Sequence, residues 1–300
     1  MNAISFENVN KSFHRQSALI DFNLQIPENT IVGVAGRNGA GKTTMLEIIS
    51  GLQTPSSGRA AVYGFPVTSL EVQSNSIFVE ENMAFPAHFT LGEILAAGAE
   101  QYTFWENAVA LPLFQYFEFK MSAKIEQLSK GQKRLFQALF GLCTRAPLTL
   151  MDEPLEGMDE TIRKDFMEAL LKDYIQKPRT ILISSHHLKE IENLLEYLLI
   201  IENGHNILFS SIEDLRHSVL EITGPIAELQ QLLTGREIIF EEEISPGILK
   251  AVFYYSGSKD KFSSFHCTWS SISDIYTYLV KKKGGIRDVY HSTSSQRNYS

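Results

Sequence analysis

The chain has 300 residues, a net charge of −8 at pH 7, and is 44% hydrophobic and 21% charged, the composition of an ordinary globular protein rather than a disordered or fibrous one. The length is about two domains' worth. The acidic balance excludes a non-specific nucleic-acid binder, which needs clustered Lys and Arg against phosphate, and two cysteines, Cys143 and Cys267, make no disulfide framework.

In chain order, the first ten residues alternate, with Ile4, Phe6 and Asn8 expected on one face and Ser5 and Glu7 on the other. Leu19 to Ile26 alternates in the same way up to Pro27. Both segments predict half-exposed antiparallel strands. Ile31 to Ala35 is instead a continuous short run, as are Leu148 to Met151 and Thr180 to Ile183; such runs predict strands covered on both faces of a parallel sheet. Met45, Ile48, Ile49 and Leu52 recur at helical spacing, with Gly51 and Pro55 as stop signals, and Ile162, Phe166, Ala169 and Leu170 repeat the pattern. Phe89 to Ala146 carries helical stretches at Leu91 to Glu100 and Leu135 to Leu142 and predicts a helical insertion. Leu198 to Ile201, Glu202-Asn203-Gly204 and Ile207 to Phe209 predict a hairpin. From Ser211 the composition shifts. Strand-like runs at Leu220 to Thr223, Glu237 to Phe240 and Leu249 to Tyr255 surround one helix, Ile226 to Leu233, with Glu241-Glu242-Glu243 expected in a solvated turn and a mobile tail from Lys281. No apolar run reaches the ~20 residues a spanning helix needs, and the first eleven residues show no secretory pattern. Any action at a membrane therefore requires a separate polypeptide.

Three segments carry chemistry. Gly36-Arg37-Asn38-Gly39-Ala40-Gly41-Lys42-Thr43, followed by Thr44, fits G-x-x-x-x-G-K-[ST] between a buried strand and a helix. Backbone N–H groups that coil around a phosphate need residues without obstructing side chains, and the helix N-terminus adds partial positive charge. In that motif Lys42 binds the β- and γ-phosphates and the Thr43 hydroxyl coordinates Mg²⁺. Second, an apolar strand ends in Asp152-Glu153. Adjacent strand residues point oppositely, so their roles differ: Asp152 suits Mg²⁺, directly or through an intervening ligand, and Glu153 suits orienting or deprotonating the attacking water. Third, a strand leads into Ser184-Ser185-His186-His187. One of the two histidines is placed to contact the γ-phosphate, since ligands of open α/β sheets sit beyond the carboxyl ends of strands.

Leu128-Ser129-Lys130-Gly131-Gln132 lies between the phosphate loop and the acidic strand and opens a helix. It resembles the LSGGQ signature of ABC ATPases, with Lys130 where the first glycine usually stands. The resemblance covers roughly residues 1–210 and implies further roles. Phe13 matches the aromatic that stacks on adenine. Glu81 falls best at the Gln-loop position and would supply a metal-contacting oxygen. Glu156-Gly157-Met158-Asp159 resembles the D-loop, with Asp159 its acidic member, and the H-loop favours His186 over His187. The implied fold is α/β: a P-loop NTPase core with an N-terminal antiparallel β-subdomain and a helical insertion (about 89–146), making a nucleotide-binding domain over 1–210, followed by a small α+β domain over 211–300 of unassigned role. The implied activity is ATP hydrolysis with Mg²⁺ in a head-to-tail pair, a homodimer or one with a close paralogue. In that pair Ser129, Gly131 and Gln132 meet the ATP on the other subunit. The implied partners are integral membrane permease subunits that hold the chain at the cytoplasmic face of the membrane. The single cassette with a small C-terminal domain resembles exporters of the ABC-2 kind. A soluble ABC ATPase acting as a mechanical or regulatory module is the alternative, and a nucleotide sensor with weak turnover is disfavoured by Glu153 and His186.

Overall fold

The computed structural model describes residues 1–14, 16–186 and 188–280; His187 and the tail from Lys281 lie outside the described residues. The chain divides into two compact units, Met1–Ile212 and Glu213 onward.

In the first unit, β1 (Asn2–Phe13) and β2 (Gln16–Pro27) pair antiparallel, and β4 (Ser57–Val62) and β5 (Phe65–Pro66) extend the sheet in the order β2-β1-β4-β5. The alternation of β1 breaks at Asn8. This residue has φ 49° and is exposed, and the register shifts between Phe6 and Val9. A bulge turns the strand over, so the inward set runs Ile4, Phe6, then Val9 and Lys11 rather than continuing to Asn8.

The second sheet has the order β10-β9-β3-β8-β7-β6, formed by β3 (Ile31–Ala35), β6 (Ser76–Val79), β7 (Leu148–Met151), β8 (Thr180–Ser184), β9 (Tyr197–Glu202) and β10 (His205–Ser211). All neighbours run parallel except β9 and β10. Every residue of β3, β7 and β8 is buried, the outcome their unbroken apolar runs predict. The β9–β10 turn places Asn203 at φ 49° and Gly204 at φ 80°, the pair of left-handed residues that a two-residue hairpin turn demands. Strands β4, β5 and β6 have no counterpart in the sequence reading: Ser57-Gly58-Arg59 is polar, and β5 and β6 span only two and four residues.

The helices are α1 (Lys42–Ile49), α2 (Leu70–Ser74), α3 (Leu91–Gln101), α4 (Asn107–Tyr116), α5 (Lys130–Thr144), α6 (Glu160–Gln176) and α7 (Leu188–Ile191). Helix α1 buries Met45, Leu46, Ile48 and Ile49 in a core that includes Phe6 and Phe22 of one sheet and Val32, Leu150 and Leu182 of the other. Helix α3 begins with a capping box, Thr90 with Glu93. Beneath α5, the Asp173 carboxylate of α6 accepts from Arg145 (2.8 Å) and pairs with Arg179 (2.9 Å). Burial beside it pushes the Cys143 thiol up to about 12, so this cysteine is an inert core residue.

In the second unit, α8 (Ile212–Arg216) precedes β11 (Val219–Pro225), α9 (Ile226–Leu233), β12 (Ile238–Ser245), β13 (Ile248–Tyr254), β14 (His266–Trp269) and α10 (Ile272–Val280). The sheet order is β12-β13-β11-β14, antiparallel throughout. Strands β11 and β12 therefore run parallel with β13 inserted between them, a split βαβ arrangement. Leu220, Ile222, Leu229, Leu233, Ala251, Phe253 and Phe262 form its core. Glu241, Glu242 and Glu243 lie within β12 rather than in a turn, and α10 and β14 add to the one helix and three strands expected.

Candidate nucleotide site

Because β3, β6, β7 and β8 are parallel, their carboxyl ends lie along one edge, and each delivers a functional segment there. The phosphate loop follows β3. Its glycines are required at two places in particular. Gly41 has φ 113°, and a Cβ there would lie 2.6 Å from the Ala18 carbonyl oxygen. At Gly36 a Cβ would lie 2.5 Å from the Ile201 carbonyl oxygen. The Gly204 N–H of the hairpin turn donates to the Ala40 carbonyl at 2.9 Å, supporting the loop from behind. Lys42, in the first turn of α1, is buried and folds back over the loop, donating to the Gly36 carbonyl at 2.8 Å. A cavity of about 450 Å³ opens above, lined by Arg37 to Thr44, Phe13, Gln16, Ser17, Ala18, Asp152 and Glu153. Phe13 stands at the end of β1, 41% exposed, with Lys11 Nζ 4.9 Å from its ring centre.

The acidic pair closes the opposite wall. Asp152 accepts from Thr43 Oγ1 at 2.7 Å and from Ser184 Oγ at 2.5 Å. Glu153 sits at φ 48°, a left-handed backbone that costs a non-glycine residue roughly 1–2 kcal/mol. Its N–H donates to Ser184 Oγ at 2.8 Å, its Oε1 lies 3.6 Å from Lys42 Nζ, and its Oε2 is 2.7 Å from His186 Nδ1. Lys42, Asp152, Glu153 and His186, widely separated in sequence, thus converge. A carboxylate that reaches an ammonium through one oxygen and an imidazole through the other can hold a water against a terminal phosphate.

The residues fit a magnesium ion. Thr43 and Asp152 present oxygen donors side by side, the hard ligands that Mg²⁺ takes while keeping most of its shell for water and phosphate. Burial, then the charges of Glu80 and Asp152, hold the Glu47 carboxyl above its ordinary value. Among the described residues no three acidic, His or Cys side chains form a metal cluster of their own.

Glu81, expected at the Gln-loop position, stands two residues past the end of β6. Strand β6 ends at Val79, whose carbonyl accepts from the Asp152 N–H at 2.8 Å. The first residue past the sheet edge is therefore Glu80. Glu81 is exposed and pairs with Lys130 at 2.9 Å, which holds its carboxyl below the usual range.

The signature residues lie outside the cavity lining. Ser129 caps α5: its Oγ accepts from the Gln132 N–H at 3.2 Å, and its own N–H donates to Gln132 Oε1 at 3.0 Å, the capping box that S-x-x-Q encodes. Ser129 and Gln132 are exposed. Gly131 is packed so closely on Gly157 that a Cβ would lie 2.4 Å from the Gly157 carbonyl oxygen. Asp159 caps α6 by accepting from the Ile162 N–H at 2.9 Å and does not line the cavity. Two residues escaped the sequence reading. Ser184 lay within the histidine segment with no role given. Arg134, whose Nη2 donates to the Asp152 carbonyl at 2.8 Å and the Glu153 carbonyl at 3.2 Å, is signalled only as a cation entering the apolar face of α5.

A family model described as ABC transporter matches residues 19–156. The "Probable sulfate/thiosulfate import ATP-binding protein CysA" of Chlorella vulgaris is 31% identical over 220 residues, 71% of this chain and 93% of that protein. The "Nod factor export ATP-binding protein I" of Burkholderia lata is 30% identical over 234 residues, 74% and 77% of the two chains. Among solved structures, the ATP binding subunit of an ABC transporter superposes with a TM-score of 0.64 at 23% identity, over 71% of this chain and 92% of that one, and so shares the fold. The chain belongs to the ABC transporter family, as one of its ATP-binding ATPases.

Proposed function

We propose that this chain is the ATP-hydrolysing subunit that powers transport through separate membrane-spanning permease subunits, working as one of a head-to-tail pair. The observation that supports this reading is a division of the site. Lys42, Asp152 and Glu153 line one cavity, with His186 held on the Glu153 carboxylate, while Ser129, Gly131 and Gln132 stand at an exposed helix start outside that lining. A second copy, or a close paralogue, would bring its signature segment to the γ-phosphate, with the α5 N-terminus supplying N–H groups and partial positive charge.

In this reading the loop from Gly36 to Thr44 wraps the phosphates, Lys42 binds the β- and γ-phosphates, and Phe13 stacks on adenine. Glu153 orients or deprotonates the attacking water, and His186 contacts the γ-phosphate while positioning Glu153. Thr43 and Asp152 would hold Mg²⁺, with Glu80 near by; bound there, the ion supplies charge neutralisation of the phosphates. Asp159 fixes the segment after the acidic pair that packs on Gly131 through Gly157. ATP stabilises the closed pair because only that state engages both halves of the site, and hydrolysis releases it. Residues from 211 onward form an accessory domain in this scheme. Among the described residues no helix is long and apolar enough to cross a membrane, so the permease would place the chain at the cytoplasmic face. The relatives include import and export proteins; the ABC-2 exporter reading rests on the single cassette followed by a small accessory unit.

The test is purification of the chain from a detergent-solubilised membrane fraction at native expression. An integral protein with several spanning segments should co-purify. Recovery with no integral partner would favour the soluble-module reading. In parallel, Glu153→Gln should shift to a dimer on size exclusion with ATP and Mg²⁺ and remain monomeric without nucleotide.

A further inference from the structure

Glu153 holds a backbone conformation that its own side chain does not favour, at φ 48°. Strain of this kind persists where the surroundings over-determine it. Two contacts do so here. Ser184 Oγ accepts from the Glu153 N–H. From the other side, one guanidinium nitrogen of Arg134 donates to the carbonyl oxygens of both Asp152 and Glu153, at 2.8 and 3.2 Å. Arg134 is 5% exposed, and its Nη1 is buried without a hydrogen-bond partner. A cation buried with an unsatisfied donor is expensive, and an apolar side chain of similar size would pack at lower cost. Packing alone therefore does not account for an arginine at this position.

The helix that carries it adds the second half of the argument. Arg134 lies five residues after Ser129, which caps α5. Lys130, Arg134 and Gln137 fall at i, i+4 and i+7, one face of the helix. Lys130 pairs with Glu81, and Gln137 Nε2 donates to the Met83 carbonyl at 2.8 Å. This face of α5 thus grips the segment after β6 and the segment after β7 together.

We propose that Arg134 is a positioning residue for hydrolysis: by binding the two carbonyls at the end of β7 it sets the Glu153 backbone that aims its carboxylate between Lys42 and His186, and it ties that geometry to the helix led by Ser129. The proposal rests on the reading of Glu153 as the group that acts on the attacking water. When Ser129 engages a nucleotide on the partner copy, α5 carries Arg134 with it, so the pose of Glu153 depends on the closed pair.

The experiment uses the full chain with ATP and Mg²⁺ and measures kcat, KM and nucleotide affinity. Arg134→Met keeps the bulk and removes both hydrogen bonds. It should lower kcat on the order of 10²-fold, the cost of misplacing a reacting group by about an ångström, with KM and ATP affinity unchanged. In single-turnover assays on a Glu153→Gln background the same substitution should cost nothing further, because the group it positions is gone. Arg134→Lys, which keeps a buried cation with a single reach, should fall between the parent and Arg134→Met. It also carries the test if Arg134→Met does not fold, since a kcat loss that vanishes on the Glu153→Gln background supports the proposal. The same fold-loss in both backgrounds, a loss confined to KM, or an unchanged kcat in Arg134→Lys and Arg134→Met overturns it. A parent chain whose turnover is indifferent to Glu153→Gln sinks the reading of Glu153 and this proposal together. Glu153-dependent turnover that ignores Arg134 sinks this proposal alone.

Discussion

The phosphate loop and the acidic end of β7 face each other across one cavity, and they are built in opposite ways. The loop works through its main chain. Its residues from Arg37 to Thr44 line the cavity, its glycines at 36 and 41 sit where the Ile201 and Ala18 carbonyls leave no room for a Cβ, and Lys42 donates back to the loop's own Gly36 carbonyl. The acidic end works through side chains, and there the main chain is strained into place by Ser184 and Arg134. The consequence is two modes of failure. Damage to the loop acts on shape and on nucleotide affinity, whereas damage to the acidic end acts on the chemical step and leaves the cavity intact.

The sharpest way to break that contrast is Glu153→Gln. The amide keeps the volume and the hydrogen-bonding reach toward His186 but loses the charge and the basicity. Turnover should fall by about 10²- to 10⁴-fold, the usual span for removing a positioned general base, while the ATP dissociation constant stays within experimental scatter of the parent. Steady-state phosphate release and equilibrium nucleotide titration check the two halves. An affinity loss matching the loss in turnover would mean that the acidic end also builds the cavity. Lys42→Ala is the mirror case. It removes a charge-assisted donor, worth about 1.5–3 kcal/mol, so ATP affinity should drop roughly 10- to 100-fold. It also leaves the Gly36 carbonyl and Glu153 without their cation. Undiminished nucleotide binding would remove Lys42 from the phosphate-binding role.

The same contrast explains what was legible in the sequence. A loop that works through its main chain must spell out its backbone in glycines, so Gly36, Gly39 and Gly41 with Lys42 and Thr43 are readable without a structure. Buried parallel strands are readable as well, because β3, β7 and β8 have no polar face to interrupt them. Strand β1 is readable only to Phe6: the bulge at Asn8 involves two strands, since Gly58 of β4 packs on the Asn8 carbonyl and no local pattern records it. The acidic end was half legible. Asp152 and Glu153 stand out as charges ending an apolar run, but Ser184 and Arg134, which hold them, come from β8 and α5. The segment after β6 is half legible for a related reason. The choice between Glu80 and Glu81 depends on where β6 ends, which its pairing with β7 decides.

Within the loop itself, a pair of alanine substitutions separates strain from collision. Gly39 has φ 80° and nothing within 4 Å of an added Cβ; Gly41 has φ 113° and the Ala18 carbonyl at 2.6 Å. Gly39→Ala should cost about 1 kcal/mol of stability, the left-handed penalty alone, and keep nucleotide binding. Gly41→Ala should cost about 1–3 kcal/mol more, because backbone has to move, and should weaken ATP binding with it. Thermal unfolding and nucleotide titration of the two variants give the difference directly. Equal effects would show that the loop is not held against β2 at Ala18.

The smallest effect is expected where the two walls meet electrostatically. Glu47 lies one turn beyond Thr43 on α1, on the loop's own helix, yet its carboxyl is raised first by burial and then by the charges of Glu80 and Asp152. A group whose folded pKa is raised binds its proton more tightly in the native state. Stability is therefore highest below the ordinary Glu value and declines as pH rises through the raised one. Glu47→Gln carries no charge to bury and should lack that decline, so its stability advantage over the parent should appear only above the ordinary Glu value and grow until the native carboxyl is fully ionised. Mg²⁺ bound at Thr43 and Asp152 would offset the same repulsion, so adding it should stabilise the parent more than the variant. Chemical denaturation across pH, with and without Mg²⁺, measures both differences. Parallel pH curves for the two proteins would mean that neither burial nor the charges of Glu80 and Asp152 act on Glu47, and that loop and acidic end are electrostatically separate after all.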